Sequence, residues 1–286
     1  MTAEAARATI RCRADGEQEK RPVEPCLLTL GGAGAGPLQR PFDAAVVMPT
    51  ILRPSVVDAL RSVLAQRDVE RVQILLGLDR PGDLAPVRAL EPELPSGWLL
   101  QALWPGYSTS VRHGGLSPAR DGGVLRCVLS HLAHSPHVAY LDDDNWWQAE
   151  HLRALLDAVR DADWAYSYRW FVHPDTRRPV CVDQWESVGV GRGIFRERFG
   201  GFVDPNCLMI DKRRCAAALA RWNEPLEGDP KAMSADRNVF NELLSLLGAP
   251  SGRPTTFYVL DPTDGMHPFR LERMGPAWDQ AGRAES

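Results

Sequence analysis

A short apolar segment with an abrupt end constrains the possible fold more than any other part of the sequence. Ala44-Ala45-Val46-Val47-Met48 contains no polar residue, and Pro49-Thr50 follows it directly. Uninterrupted apolar runs of this length are typical of strands that are buried on both faces, as in parallel sheets. The segment therefore predicts an α/β protein in which helices cover both sides of a central sheet.

Strand and helix patterns alternate through the first half of the chain. Apolar residues recur at helical spacing in 56–64 and again in 124–132. Further strands are predicted at Val72–Leu78, Trp98–Leu103 and Val138–Leu141. This alternation indicates a mainly parallel sheet flanked by helices.

The second half is less regular. A hairpin is predicted from Trp164–Val172 and Pro179–Val182, a helix near Asp236 and a last strand at Phe257–Leu260. The glycine- and arginine-rich segment Gly189–Gly201 is expected to be a loop.

The chain is expected to contain one folded domain. Residues 1–41 lack periodicity and include GGAGAG, so we expect a mobile extension with a short strand at Pro25–Leu30. The α/β domain is predicted to span residues 42–262. Residues 263–286 are expected to form a C-terminal loop or tail.

Composition excludes several classes of protein. The chain has 286 residues and a net charge of −4, which argues against a general nucleic-acid binder. None of its six cysteines forms a CxxC pair, which indicates neither a zinc knuckle nor a disulfide framework. No apolar run has the length of a membrane span, and no secretory signal begins the chain, so a cytoplasmic location is expected.

Three adjacent carboxylates, Asp142-Asp143-Asp144, follow the strand predicted at Val138–Leu141. Ligands of open parallel sheets bind at this carboxyl edge. Carboxylates so close together repel one another, and a hard cation such as Mg²⁺ or Mn²⁺ would relieve that repulsion. A solvated acidic turn is the alternative interpretation of the same residues.

Five motifs follow one another along the chain. They are Pro49-Thr50-x-x-Arg53-Pro54, Asp79 at a strand end, Gly115-x-Ser117-x-Ala119-Arg120-Asp121, Leu141-Asp142-Asp143-Asp144 and Ser234-Ala235-Asp236-Arg237. Their order resembles that in the inverting family 2 of the GT-A glycosyltransferases. Two positions depart from the family pattern: Asp121 and Ala235 stand where the family commonly has Asn and Glu.

This resemblance implies a fold, a reaction and a set of site residues. The fold is a single GT-A-like α/β domain with a mainly parallel central sheet. Asp236 would be the general base, and Mn²⁺ or Mg²⁺ would be bound by Asp144 and Asp142, with His267 as a further ligand. The donor nucleotide would contact Thr50, Arg53, Asp79, Arg120, Asp142 and Asp143.

Several of these residues also have a plain structural interpretation. Asp236 could simply cap a helix, and the helix dipole would then make it a weaker base. Asp79 could be a turn residue, Arg120 a surface arginine and His267 an exposed loop residue.

The sequence therefore predicts transfer of a sugar from a nucleoside-diphosphate donor, with a UDP-sugar as the first choice, to an acceptor hydroxyl. One alternative is a sugar-phosphate nucleotidyltransferase, although Thr50–Pro54 lacks the glycines and lysine typical of that class. The other is a nucleotide-sugar-binding module without turnover.

Overall fold

A large mixed β-sheet forms the centre of the molecule, and the computed structural model describes residues 25–31, 40–119, 122–228 and 235–283. The strands are β1 Cys26–Gly31, β2 Ala44–Thr50, β3 Val72–Leu78, β4 Leu99–Trp104, β5 His137–Tyr140, β6 Trp146–Trp147, β7 Trp164–Val172, β8 Pro179–Val182, β9 Gly189–Val190, β10 Gly201–Phe202, β11 Leu208–Asp211 and β12 Gly248–Val259. The helices are α1 Val56–Leu64, α2 Ala85–Arg88, α3 Gly123–Leu132, α4 His151–Ala158, α5 Arg196–Phe199, α6 Ala216–Arg221, α7 Ala235–Leu243, α8 His267–Met274 and α9 Pro276–Gly282.

The order of strands in the large sheet is β1-β4-β3-β2-β5-β11-β7-β12-β6, and β8 pairs with β7. Four adjacent strands, β4, β3, β2 and β5, run parallel to one another. On the other side of β5, β11 is antiparallel to both of its neighbours, and β7 and β12 are parallel. The predicted α/β class with a largely parallel central sheet and flanking helices is confirmed.

Strand β2 is completely buried, as its apolar sequence predicts. Successive side chains of a strand point to opposite faces. Val46 and Met48 accordingly pack in the core on the α1 side. Val47 packs with Leu125 and Leu129 of α3 on the other face. Because both faces are covered, the ligand-accessible part of β2 is its carboxyl end.

The N-terminal segment contributes a strand to the sheet. β1 pairs antiparallel with β4 along its whole length, and Leu28 and Leu30 lie in the core. The short strand expected at Pro25–Leu30 is thus present and joins the main domain. The remainder of the extension, residues 1–24 and 32–39, lies outside the described residues.

The C-terminal segment differs from the loop that we expected, because it forms helices α8 and α9. Met274 packs with Phe171 and Leu260 in a separate apolar cluster. Arg270 is buried and binds Glu186 through two nitrogen atoms, at 2.7 and 2.8 Å. These contacts join residues far apart in the chain, so the local pattern after Asp261 could not indicate them.

Strand β12 and the segment Gly189–Gly201 also differ from expectation. β12 covers Gly248–Val259, and only its end coincides with the predicted strand. Its pairing with β7 is irregular between Pro250 and Thr256, since proline cannot donate a ladder hydrogen bond. The glycine-rich segment contains β9 and α5 as well as loop.

Among the described residues, no helix combines the length and apolar character needed to cross a membrane.

Candidate active site

The acidic motif begins where β5 ends, at the carboxyl edge of the parallel strands. Leu141 still donates a backbone hydrogen bond to Val47 of β2, at 3.1 Å, and Asp142 follows. Thr50 ends β2, and Asp79, next after β3, donates its backbone N–H to the Thr50 carbonyl at 2.8 Å. Parallel strand order therefore brings three sequence-predicted positions to one edge.

Asp143 is held by the turn that follows β2. The Thr50 hydroxyl donates to Asp143 Oδ2 at 2.6 Å, and Arg53 Nη1 donates to Oδ1 at 2.5 Å. The Thr50 oxygen also accepts the backbone N–H of Leu52, at 2.7 Å. Asp143 is buried, so these donors compensate the loss of hydration of its charge.

Asp142 is held from the opposite side of the motif. Arg126 of α3 forms an ion pair with Asp142 Oδ1. Asn206 Nδ2 donates to Oδ2 at 2.8 Å, and the Asp142 backbone N–H donates to Asn206 Oδ1 at 2.7 Å. Both carboxylate oxygens of Asp142 thus have a protein donor.

Asp144 is the member of the motif with the weakest protein contacts. Its side chain is 45% exposed and lies 3.8 Å from Arg53 Nη1 through Oδ2, while Arg177 donates to its backbone carbonyl at 3.2 Å. Desolvation in the cleft, followed by the charges of Asp142 and Asp143, raises the pKa of Asp144 to about 7. A carboxylate in this environment favours a bound cation.

Asp79 positions a loop at the same edge. Its Oδ1 accepts from the backbone N–H and the hydroxyl of Thr109, at 2.7 and 2.6 Å. Its Oδ2 accepts from Ser108 at 2.9 Å. A carboxylate has about four lone-pair positions, so one of them stays available to a ligand.

One cleft of about 240 Å³ unites most of the predicted donor-site residues. The predicted residues that line it are Thr50, Arg53, Asp79, Asp142, Asp143 and Asp144. Its walls also include residues that we did not predict as site residues. These are Pro49, Ile51, Ser110, Arg112, His113, Gly122 and Arg126.

Gly122 is one position in this wall where only glycine fits. Its φ is +76°, and a Cβ atom there would lie 2.4 Å from the Pro49 side chain. The close approach of Gly122 to Pro49 brings α3, and with it Arg126, against the end of β2. Arg126 lies on the buried face of α3 beside Leu125. A charged residue in an apolar helical face was the one sequence signal for its role.

Asp236 lies in the first turn of α7 and is half-buried. Its Oδ1 accepts the backbone N–H of Arg237 at 2.9 Å. Burial, followed by the charge of Asp204, raises the pKa of Asp236 to about 6, although Arg237 and Arg126 act in the opposite direction. The positive charge of Arg126, which binds Asp142, is among the influences that lower the pKa of Asp236, and Asp236 does not line the cleft.

His267 and Arg120 complete the predicted set. His267 begins α8, and its ring makes an edge contact with Trp278 at 5.3 Å between centroids. Within the described ranges, no cluster of three or more His, Cys, Asp or Glu side chains is arranged to hold a metal ion, so His267 does not complete such a cluster with Asp142 and Asp144. Arg120 lies outside the described residues.

Comparison with known proteins shows a likeness at the level of structure. No family model and no curated protein matches the chain. The structure of S. aureus TarS matches it with a TM-score of 0.53 and 14% identity, over 80% of this chain and 38% of TarS. TarS 1–349 in complex with UDP-GlcNAc matches with a TM-score of 0.52 and 16% identity, over 78% of this chain and 60% of that one.

The complex of TarS 1–349 with UDP gives a TM-score of 0.51 and 16% identity, over 81% of this chain and 64% of that one. The chain thus spans between 38% and 64% of the length of these proteins. At such low identity the likeness concerns the fold alone. The chain has the α/β fold of these TarS structures, which confirms the GT-A-like fold that its motifs predict.

Proposed function

We propose that this protein is a glycosyltransferase that moves a sugar from a UDP-sugar to an acceptor hydroxyl, with a divalent metal and with inversion. The observation that carries the proposal is the cleft at the carboxyl edge of β2, β3 and β5. Thr50, Arg53, Asp79 and the acidic motif line it together. The likeness to TarS, whose structures include complexes with UDP and UDP-GlcNAc, supports the choice of donor.

The chemistry of the cleft fits Mn²⁺ or Mg²⁺ bound together with a diphosphate. Such ions are commonly held by one or two carboxylates, with substrate phosphates and water as the remaining ligands. Asp144 offers the least engaged carboxylate, and Asp142 keeps lone pairs beyond its bonds to Arg126 and Asn206. His267 would be a further ligand only after a movement of α8. When bound, the ion would act as a Lewis acid on the departing diphosphate.

The protein's own residues would bind and orient the donor. Thr50 and Arg53 both donate hydrogen bonds to Asp143, so the turn after β2 is held against the acidic motif. Arg53 and Arg112 bring positive charge to a cleft that also contains four carboxylates, which suits a diphosphate accompanied by a cation. Arg120 remains a proposed donor contact. The loop held by Asp79 forms the adjoining wall of the cleft, where the nucleobase of the donor would lie.

Asp236 would deprotonate the acceptor hydroxyl as its oxygen attacks the anomeric carbon. One displacement from the face opposite the leaving diphosphate inverts the configuration at that carbon. A base works best when its pKa lies near the working pH, and a pKa of about 6 leaves Asp236 ionised at neutral pH with more basicity than an ordinary aspartate.

Thermal unfolding with a panel of nucleoside diphosphates, each with and without Mn²⁺, tests the donor site. We expect UDP with Mn²⁺ to stabilise the protein, by about 2.7 kcal/mol at a hundredfold excess over its dissociation constant. A panel without any stabilisation would refute the proposal.

Hydrolysis of UDP-GlcNAc and its dependence on Asp144 separate an enzyme from a binding module. We expect slow release of UDP by the wild-type protein and its loss in Asp144→Asn. Binding of UDP without hydrolysis or transfer would favour the binding module. Release of pyrophosphate from UTP and a sugar 1-phosphate would favour the nucleotidyltransferase.

A further inference from the structure

Asn206 is a fully buried amide that faces the first residue of the acidic motif. It lies in a single 3₁₀ turn, Pro205–Cys207, immediately before β11. Because β11 pairs antiparallel with β5, the start of β11 lies beside the end of β5, where Asp142 begins. Sheet topology therefore brings Asn206 to Asp142 although 64 positions separate them in sequence.

The amide holds both the backbone and the side chain of Asp142. Its Oδ1 accepts the Asp142 backbone N–H at 2.7 Å, and its Nδ2 donates to Asp142 Oδ2 at 2.8 Å. The second N–H of Nδ2 is directed at Asp204 Oδ1, also at 2.8 Å. Only an amide has this combination, since a carboxylate donates nothing and a lysine accepts nothing.

Asp204 connects the amide to a rigid group of buried charges. Its Oδ2 accepts from Arg169 Nη1 at 2.6 Å. Arg169 is fully buried and also binds Asp183 at 2.8 Å and Glu186 at 3.0 Å. Arg270 of α8 binds the same Glu186. The contact of Asn206 with Asp142 is thus anchored in the core of the second half of the molecule.

We propose that Asn206 is a positioning residue that fixes the Asp142 carboxylate, and with it the acidic motif, for a metal–diphosphate ligand. This inference rests on the proposed function. Arg126 holds the other oxygen of Asp142, so the two contacts together define the orientation of the carboxylate. Groups that orient a metal-binding carboxylate typically change metal affinity or activity by about 10–100-fold when they are removed.

The test is the affinity of the full chain for UDP in the presence of Mn²⁺, measured by calorimetry for wild type, Asn206→Ala and Asn206→Asp. We expect about 10–100-fold weaker binding in both variants. In Asn206→Ala the Asp142 N–H and Oδ2 lose their partner, while Arg126 still binds Oδ1. In Asn206→Asp, which leaves no cavity, a third carboxylate repels Asp142 and Asp204.

Gln73→Ala is the matched control for a purely structural effect. Gln73 is a buried amide at the other end of the parallel strands, with bonds to Gln101 at 2.8 Å and to the His134 N–H at 2.7 Å. We expect Gln73→Ala to lower the midpoint temperature of unfolding without changing the affinity for UDP.

The Mn²⁺ dependence of hydrolysis gives a second measurement. With UDP-GlcNAc as donor, the Asn206 variants should need about 10–100-fold more Mn²⁺ for half-maximal hydrolysis, with a smaller change in kcat.

The outcomes are distinguishable. Failure of the wild-type protein to bind UDP with Mn²⁺ would refute the proposed function and this inference with it. Wild-type binding together with unchanged affinity and Mn²⁺ dependence in folded Asn206→Asp would overturn only the inference. If Asn206→Ala does not fold, the UDP affinity of the isosteric variant Asn206→Asp provides the test of the inference.

Discussion

The hydroxyl of Thr50 donates to a carboxylate oxygen of Asp143 over 2.6 Å, although 93 positions separate the two residues in sequence. Thr50 ends β2 and Asp143 follows the adjacent parallel strand β5, and both residues are buried. Arg53 binds the other oxygen of Asp143, so each oxygen of the middle carboxylate has a donor within the protein. Asp143 therefore anchors the motif, and Asp144 is left to meet a ligand.

Loss of the Thr50 hydroxyl should reduce stability. Thr50→Val keeps the shape of the side chain but leaves Asp143 Oδ2 and the Leu52 N–H without their partner. An unsatisfied buried polar group costs about 1–3 kcal/mol. We expect the free energy of unfolding in urea to fall by about this amount and Thr50→Ser to recover most of it. Equal unfolding curves for Thr50→Val and wild type would show that the bond contributes nothing.

Asp144→Asn should separate stability from ligand binding. The substitution removes one of three mutually repelling carboxylates, so the metal-free protein should be as stable as wild type or more stable. The stabilisation by UDP with Mn²⁺ should disappear. Thermal unfolding with and without both ligands measures the two effects. Asp157→Asn, an exposed carboxylate on α4, is the control that should keep the response to ligand.

The donor side of the site was predictable because its residues are marked by local patterns. Thr50, Asp79 and Asp142 each lie at or just after the end of an apolar strand, and parallel strands place their carboxyl ends at one edge. Pairing of β2 with β3 and β5 then brings these positions together without further information. All three residues consequently line one cleft.

The residues that bind and orient the acidic motif could not be predicted in the same way. Asn206 reaches Asp142 only because β11 inserts antiparallel beside β5, and no local pattern gives that order. The helices after Asp261 depend on Arg270 and its contact with Glu186, 84 positions away. Propensity and periodicity describe neighbours in sequence, whereas these contacts depend on tertiary packing.

Arg169 should be one of the most sensitive positions for stability. It is buried with Asp183, Glu186 and Asp204, and its removal leaves buried carboxylates without their cation. Breaking a buried ion pair by removing one partner costs about 3–5 kcal/mol. We expect this loss for Arg169→Met in chemical denaturation.

Arg196→Met gives the comparison for the Arg169 variant. Arg196 pairs with Glu197 at the surface, where both side chains are more than half exposed. Surface pairs contribute about 0–1 kcal/mol. Similar losses in the two variants would contradict the assigned difference between the buried and the exposed arginine.

Asp236→Asn should greatly reduce the rate of transfer while sparing donor binding. The amide cannot accept the acceptor proton, and a general base contributes about 10²–10⁴ in rate. UDP affinity should stay unchanged because the contacts of the donor cleft do not include Asp236. Calorimetry with UDP and a transfer assay measure the two properties. Full transfer activity in Asp236→Asn would show that Asp236 is not the general base.

The pH dependence of transfer should report on the same carboxylate. Asp236 accepts a proton only when it is ionised, and its pKa is raised to about 6, so the rate should fall as the pH decreases through about 6. The charge of Asp204 contributes to this raised pKa. Asp204→Asn should therefore shift the acidic limb to lower pH. Asp264→Asn, which removes a carboxylate bound to Arg270, should leave that limb in place, and an identical shift in both variants would contradict a specific effect of Asp204 on Asp236.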